Sequence, residues 1–419
     1  MKDRATSGNS IWRTAISFCY RDGVDVFELN IRHLRATTVI AAKRSMSAAA
    51  DAVSLSQPAL TQGIAKMERQ LSVLLYERRN DGVIPTDAGL KLAARVETAL
   101  SHLSAAARAI TRGRRSAHPE QSMTSSQLRA FLALADAGSF TRAADALALS
   151  RPAVIRVVRE LEHICATSLA ERRGRGVSLN TAGRRLARGI RLAYVEIAAA
   201  LIEIRAPEET SVRIAVGAMP LSRAILLPRA ITTLVSQRPT ATVDVVEGSW
   251  RELVELLRDG VIDLMIGALR TESLPELQQT PLLVEPLIVV GGAHHPLATV
   301  KHPRIDQLTS YPWIVGRSGA PLRERWEKMF GAFSPRAPVE CGSVMTIREI
   351  LRHSDFLTLL SPDQVSVELE ANVLKAIGGP LSATERTIGL VTRAGWRPTE
   401  VHSTFIDALA RIADEQSGK

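Results

Sequence analysis

Gln57, Thr61 and Gln62 fall on one face of a helical turn, and a pair of guanidinium groups follows at Arg78 and Arg79. Together these side chains could read a nucleic acid. A Gln amide both donates and accepts, so it can make two hydrogen bonds to the edge of an adenine. The arginines would add salt-sensitive attraction to phosphate without choosing a base sequence. Ninety-four residues further on the same positions carry Arg151, Ile155 and Arg156, then Arg172 and Arg173. Arg151 and Arg156 could favour guanine or simply hold phosphate. The competing reading is two polar helix faces that merely meet water. Repetition of the whole constellation argues against it.

The elements that must position these side chains repeat as well. Leu34 to Ala93 aligns without a gap on Leu128 to Ala187, matching Leu34-Arg35-Ala36 with Leu128-Arg129-Ala130 and Glu77-Arg78-Arg79 with Glu171-Arg172-Arg173. A period that long indicates duplicated domains rather than a solenoid. In each copy, apolar spacing predicts two helices, the second carrying an Ala-Ala-Asp cluster, and then a third. Ser56 and Ser150 are candidate N-caps of that third helix, and Pro58 and Pro152 lie in its first turn, where a missing N–H costs nothing. Asn80-Asp81-Gly82 predicts a tight turn between short strands, a wing. Helix, turn, helix and wing is an architecture that sets one short helix in the DNA major groove. Beyond each wing, narrow apolar stripes predict a long helix packed on another helix: Val96, Leu100, Leu103, Ala107 and Ile110, then Ile190, Ala193, Ile197, Leu201 and Ile204.

The charge is uneven. Of the net +10, positions 1 to 210 hold 31 Lys/Arg against 20 Asp/Glu, and the remainder hold 22 against 23. A basic half beside a neutral half suggests that only the first meets a polyanion, with nucleic acid favoured over an anionic membrane. No apolar run is long enough to span a bilayer and the start lacks a signal-peptide pattern, so a cytoplasmic protein is expected. Cys19, Cys165 and Cys341 are too scattered for a disulfide framework or a zinc site. The second half alternates β-branched runs with amphipathic helices, which predicts parallel sheet in an α/β domain. Two lobes enclosing a cleft are expected, with a pair of strands around Leu282 to Gly291. No catalytic constellation, phosphate loop or metal set is found, and adjacent His294 and His295 in a strand would point to opposite faces. No enzyme and no cofactor are expected.

Both copies resemble the winged helix-turn-helix of LysR-type transcriptional regulators, and the second half resembles that family's two-lobed effector domain. The motif carrying the resemblance runs from a first-helix aromatic through Gly-Ser-Phe, Ser-Gln-Pro-Ala, Leu-Phe-x-Arg and Leu-Thr-x-Ala-Gly. The first copy has Thr37 for the aromatic and Arg44-Ser45-Met46 for Gly-Ser-Phe, yet keeps Gln57, Pro58, Thr61, Gln62, Arg78 and Thr86. Its first helix reads as weakened. The second keeps Phe131 and Gly138-Ser139-Phe140 but has Arg151, Ile155 and Arg156 on the reading helix and Asn180 where Thr is usual.

The resemblance implies a multidomain chain. Residues 1–30 form an extension, 31–89 a first winged helix-turn-helix, 90–111 a linker helix and 112–123 a connection. Residues 124–183 form the second winged module, 184–206 its linker helix, and 210–419 the periplasmic-binding-protein-like effector domain. It also implies double-stranded DNA, RNA polymerase and a small-molecule effector, for which Ser249 and Arg317 suggest an acid, as partners of a homo-oligomer, dimer or tetramer. Effector positions carried over are Met219, Leu221, Ser222, Ser249, Gly267, Ala268, Arg317, Ser318, Ser343 and Val344, with Ser249 at a helix start a ready anion site. The two linker helices could pair within one chain or between chains. A receptor whose N-terminal modules serve only oligomerisation is the alternative function.

Overall fold

The computed structural model describes residues 25–79, 82–111, 118–174, 176–204, 212–219, 226–272 and 274–418. Within the N-terminal extension the sequence suggests a short helix around Ile11 to Tyr20, and Ala206-Pro207-Glu208-Glu209 reads as a linker; these, the Asn80-Asp81 half of the first wing's turn, Cys19, Leu221 and Ser222 lie outside these residues. Two units are described separately: Met1–Val212 with Asp259–Val261, and Arg213–Arg258 with Ile262–Lys419.

In the first unit the offset of 94 extends to the elements. Helices α1 (Ile31–Lys43), α2 (Met46–Ala52) and α3 (Gln57–Leu71), strands β1 (Tyr76–Arg79) and β2 (Gly82–Pro85), and long helix α4 (Asp87–Ile110) form the first copy. Helices α5 (Ser125–Ala137), α6 (Phe140–Leu147) and α7 (Arg151–Cys165), strands β3 (Ala170–Arg173) and β4 (Gly176–Leu179), and long helix α8 (Thr181–Ile204) form the second. Local chemistry explains the boundaries. Ser56 and Ser150 accept the N–H of Ala59 and Ala153, and Thr86 accepts that of Gly89 at 3.1 Å. Asn180 does what Thr86 does: it accepts the Gly183 N–H at 2.9 Å, and its amide donates to the Ser168 carbonyl at 2.8 Å, as the Thr86 hydroxyl donates to Leu74 at 2.8 Å. The departure from Thr therefore preserves both bonds. Glycine is required one turn on, because a Cβ at Gly89 or Gly183 would stand 2.1 or 2.0 Å from the carbonyl oxygen of Leu75 or Leu169. Arg44, by contrast, occupies the left-handed cap that Gly138 fills in the second copy, at a cost of about 1 kcal/mol.

The first helix of the first copy is not weakened in packing, contrary to its sequence. Thr37 is fully buried, and Tyr76 from the wing lies beside it, donating to the Thr37 carbonyl at 3.3 Å. The equivalent positions in the second copy hold Phe131, also fully buried, and Ala170. At this pair of positions each copy thus holds one aromatic ring, on the wing strand in the first and on the helix in the second.

Helices α4 and α8 pack along each other in the same chain, and one continuous core runs through both copies and both long helices. They are antiparallel: Arg95, early in α4, meets Glu196 and Glu203, late in α8, while Gly189, early in α8, lies against His102 and Ala106. Residues 25–30 belong to this fold rather than to an extension. A short 3-10 turn at Val26–Glu28 matches one at Pro119–Ser122 ahead of the second copy, and Val26, Phe27 and Leu29 are buried. Too few residues are involved for a period to show in the sequence. The contacts across the pair are reciprocal. Arg129 of α5 reaches Asp25 at 3.1 Å, and Arg35 of α1, its counterpart, donates to the carbonyls of Glu120 and Gln121.

The second unit is built on one mixed eight-stranded sheet. Strands β5 (Arg213–Ala218), β6 (Thr242–Glu247) and β7 (Leu264–Ala268) are parallel in one lobe; β9 (Trp313–Val315), β10 (Val339–Glu340) and β11 (Leu357–Leu360) are parallel in the other. Between them run two long antiparallel strands, β8 (Leu277–Gly292) and β12 (Leu374–Arg393), giving the order β10-β9-β11-β8-β12-β7-β5-β6. The expected strand pair around Leu282 to Gly291 is therefore a single strand. Pro281 and Pro286 broke its pattern in the sequence, but Pro286 sits at a shift of register, where its missing N–H removes no ladder bond. The run Thr387 to Thr392, which by its alternation with helices reads as a separate short strand, is likewise only the end of β12. The helices of this unit are α9 (Leu226–Gln237), α10 (Trp250–Arg258), α11 (Ile305–Thr309), α12 (Pro321–Phe330), α13 (Val344–Arg352), α14 (Ser366–Glu370) and the C-terminal α15 (Glu400–Ser417), on which α9 packs. Asp263 joins that helix to the sheet: Oδ2 accepts the Ala215 N–H at 2.8 Å and lies 3.4 Å from His402 Nε2. Burial alone would push this carboxyl up, but His402, the Ala215 N–H and Arg393 hold it below the usual carboxylate range.

Candidate nucleic-acid interface and effector cleft

Burial sorts the third helix of each copy into two faces. In α3, Leu60, Ile64, Met67 and Leu71 face the core, which leaves Ser56, Gln57, Pro58 and Gln62 exposed and Thr61 half-buried. In α7, Val154, Val158, Leu161 and Cys165 face inward, with Ser150, Arg151, Pro152 and Arg156 exposed and Ile155 half-buried. The period of 3.6 residues makes this division unavoidable once the apolar positions are committed to the core. Arg78 and Arg79 are exposed on β1, as are Arg172 and Arg173 on β3. Thr86 is half-buried and serves as the cap of α4 rather than as part of the exposed face.

One residue of this surface was not singled out in the sequence. Arg159 is exposed on α7, one turn beyond Ile155, where α3 has Ala65. It lines a hollow of about 410 Å³ between α7 and the wing, together with Arg151 and Arg172. The offset of 94 was the available signal, since Ala65 and Arg159 differ in charge within an otherwise matched pair of helices. The second copy thus presents Arg151, Arg156 and Arg159 where the first presents Gln57, Gln62 and Ala65. The first surface offers bidentate Gln amides, with exposed Lys66 at the position of Glu160; the second offers guanidinium groups, their charge reduced by Glu160, which lies 3.8 Å from Arg156.

In the second unit, the proposed effector positions gather at the C-terminal ends of parallel strands, the usual ligand edge of an open α/β sheet. Met219 and Gly267 touch: the Met219 N–H donates to the Ile266 carbonyl at 3.1 Å, and a Cβ on Gly267 would stand 2.4 Å from the Met219 sulfur. Ala268 follows, buried. Ser249 opens helix α10 (Trp250–Arg258), and both its N–H and its hydroxyl donate to Glu252, at 2.9 and 2.7 Å. That carboxylate occupies the donors an anion would use, so an acid could take them only by displacing it. In the other lobe, exposed Arg317 and Ser318 follow β9, while Ser343 and Val344 open helix α13 (Val344–Arg352) after β10. Ser343 caps that helix, accepting the Thr346 N–H at 3.4 Å.

Arg270, not predicted, ties these two groups of residues together. It follows β7 in the first lobe, where its backbone N–H donates to Gln279 at 2.9 Å. Its guanidinium donates to the Gly319 carbonyl at 3.0 Å, lies 3.6 Å from Glu324 in the second lobe, and covers the Trp250 ring at 5.6 Å. Only Leu269 separates it from Ala268, but nothing in the local sequence points across a cleft. His295 is buried and accepts the Leu297 N–H at 3.0 Å. No group of three or more potential metal ligands occurs among the described residues, and no described helix is long and apolar enough to cross a membrane.

Comparisons with known proteins agree with this architecture. The family described as bacterial regulatory helix-turn-helix protein, lysR family, matches residues 31–90 and again 125–184, and the LysR substrate binding domain matches residues 207–414. The chain is 29% identical over 399 residues to the HTH-type transcriptional regulator GalR of Pseudomonas putida, covering 94% of this chain and 100% of that protein. The SDS degradation transcriptional activation protein of a Pseudomonas strain is 30% identical over 64% of this chain and 90% of its own length. Among solved structures, full-length OxyR from Pseudomonas aeruginosa superposes with a TM-score of 0.55 at 23% identity, over 70% of this chain and 94% of that one. Full-length LysG from Corynebacterium glutamicum with bound effector arginine gives 0.52 at 19%, over 69% and 97%. This chain belongs to the LysR-type transcriptional regulators: it is a DNA-binding regulator with an effector-binding domain, and it carries the family's helix-turn-helix twice.

Proposed function

We propose that α3 and α7 read two halves of a regulatory DNA site by different chemistry, and that the effector is a small acid. The observation that carries the first part is the matched exposure of Gln57 and Gln62 on one helix and of Arg151 and Arg156 on the other, at equivalent positions of paired modules. Gln57 and Gln62 suit adenine; Arg151 and Arg156 suit guanine or phosphate. Arg78, Arg79, Arg172 and Arg173 on the wings suit phosphate. A DNA-bound homo-oligomer of this kind would alter transcription through RNA polymerase. The test is a DNA titration at two salt concentrations. Gln57→Ala should weaken binding about tenfold and relax base preference at one position, whereas Arg79→Ala should weaken all sequences alike and lower the salt slope by about 1. Binding indifferent to both salt and sequence would leave the N-terminal modules with an assembly role only.

For the effector, the support is cationic: Arg270 and Arg317 stand in the loops that follow the C-terminal ends of β7 and β9. An acid bound there would compete for Arg270 with Gly319 and Glu324, and so change the relation of the two lobes. Calorimetry with a panel of small carboxylic acids should find at least one that binds, with Arg270→Gln weakening it roughly tenfold. A ligand that binds the Arg270→Gln chain unchanged would remove Arg270 from the site.

A further inference from the structure

The pairing of α4 with α8 is written in side chains that differ between two otherwise matched helices. Arg95 is 1% exposed and donates to Glu196 at 2.8 Å and to Glu203 at 3.1 Å. At the equivalent positions the partner helix has Gly189 for Arg95, and α4 has His102 for Glu196 and Ala109 for Glu203. The ion cluster therefore occupies one half of the antiparallel interface only. The other half is a close approach, where a Cβ on Gly189 would stand 2.3 Å from the Ala106 methyl carbon.

Neither homotypic alternative satisfies the charges, and the pair of α4 helices fails at the close approach as well. Two α4 helices would bring each Arg95 against His102 and Ala109, with no carboxylate, and would place an Arg side chain where the Gly189 contact admits no Cβ. Two α8 helices would bury two copies each of Glu196 and Glu203 with no cation. An uncompensated buried charge is among the most destabilising defects a packed interface can carry. The N-terminal turns are heterotypic too: Asp25, which holds Arg129, has Pro119 as its counterpart, and Phe27, stacked on Tyr194 with centroids 3.9 Å apart, has Gln121.

We infer that this interface is a pairing code that admits α4 only with α8, and that the two helices of one chain satisfy it together, so that one chain forms a complete DNA-reading head for a non-palindromic duplex. This rests on the reading that α3 and α7 contact DNA. Two identical modules related by two-fold symmetry would call for an inverted repeat; two modules fixed in unequal roles call for a site with unlike halves. Other copies of the chain then join through surfaces other than these helices.

The experiment uses the full chain in a Glu203→Gln background, with duplexes selected by the wild-type protein from a library with a random core. Arg95→Glu and Glu196→Arg, each alone, should weaken binding of the selected duplex about a hundredfold. The two exchanges in one chain should restore most of that affinity, which also shows that loss in the singles is not a general folding failure. An equimolar mixture of the two single variants, unfolded and refolded together, should restore none. Recovery in the mixture would mean that the helices pair between chains and would overturn the inference while leaving DNA reading intact. Absence of rescue in the double exchange, or selection of a palindromic duplex, would also overturn it. If the wild-type chain enriches no duplex at all, the underlying DNA reading fails instead.

Discussion

An Arg95→Met chain is expected to lose about 3–5 kcal/mol of stability in the unit that holds the two modules, the range seen when one partner of a buried ion pair is removed. Glu196, itself nearly buried, would be left as a charge without its cation. Burial opposes the charge on Arg95, but Glu203 and Glu196 more than restore it, and its proton is held more firmly than in free arginine. In a unit of this size the loss corresponds to a fall in unfolding temperature of about 10 °C, readable by calorimetry. The contrast is Lys91, whose ion pair with Asp87 has similar geometry at 2.7 Å but is exposed on the same helix. Lys91→Ala should cost at most about 0.5 kcal/mol. Equal effects of the two substitutions would show that the Arg95 cluster is solvated in solution. A chain with Arg95→Met, Glu196→Leu and Glu203→Leu together should regain the lost stability, because apolar packing satisfies a core as well as ions do. What it should lose is the distinction between α4 and α8.

The second large effect is expected at Asp263. Its carboxylate accepts a backbone N–H of β5 and faces His402 from α15, so Asp263→Asn weakens the attachment of the last helix to the sheet, by about 3 kcal/mol. The pH dependence follows from the direction of its shift. The folded-state value lies below the unfolded one of about 3.9, so the folded chain binds this proton less readily than the unfolded chain. The contribution is complete above pH of about 4 and disappears as pH falls through the folded value. Urea unfolding of the effector-domain unit should therefore show wild type and Asp263→Asn well separated at pH 7 and converging in acid. Curves that stay parallel down to about pH 2 would show that the carboxylate contributes nothing specific.

Much of the arrangement was legible in the residues. The offset of 94 gave every element of the second copy from the first, because the repeat keeps caps, turns and apolar positions in register. Gln57, Gln62, Arg151 and Arg156 could be placed on one outward face each, since helical periodicity and an inward Leu or Val every turn leave no other orientation. The lobes were legible as alternating strands and helices. The long crossing strands β8 and β12 were not, because prolines and shifts of register disrupt the period of two on which strand recognition depends. Ser249 was read as a free anion site, although Glu252 three residues on completes a Ser-x-x-Glu pattern in which the first turn of α10 brings the carboxylate back onto the serine.

The sequence alone determined that the chain holds two helix-turn-helix modules with unlike reading faces ahead of an α/β domain, because caps, periodicity and surface composition are local properties. Tertiary structure decided which long helix pairs with which, where the missing aromatic of α1 is replaced, and which residue bridges the two lobes. Arg95 meets Glu196 across 101 positions, Tyr76 reaches Thr37 across 39, and Arg270 reaches Gly319 across 49. Each of these contacts joins residues whose own neighbours in the chain give no sign of the other. Partner choice at that range is set by packing and by the cost of leaving a buried charge or a void unfilled, and neither exists until the chain has closed on itself.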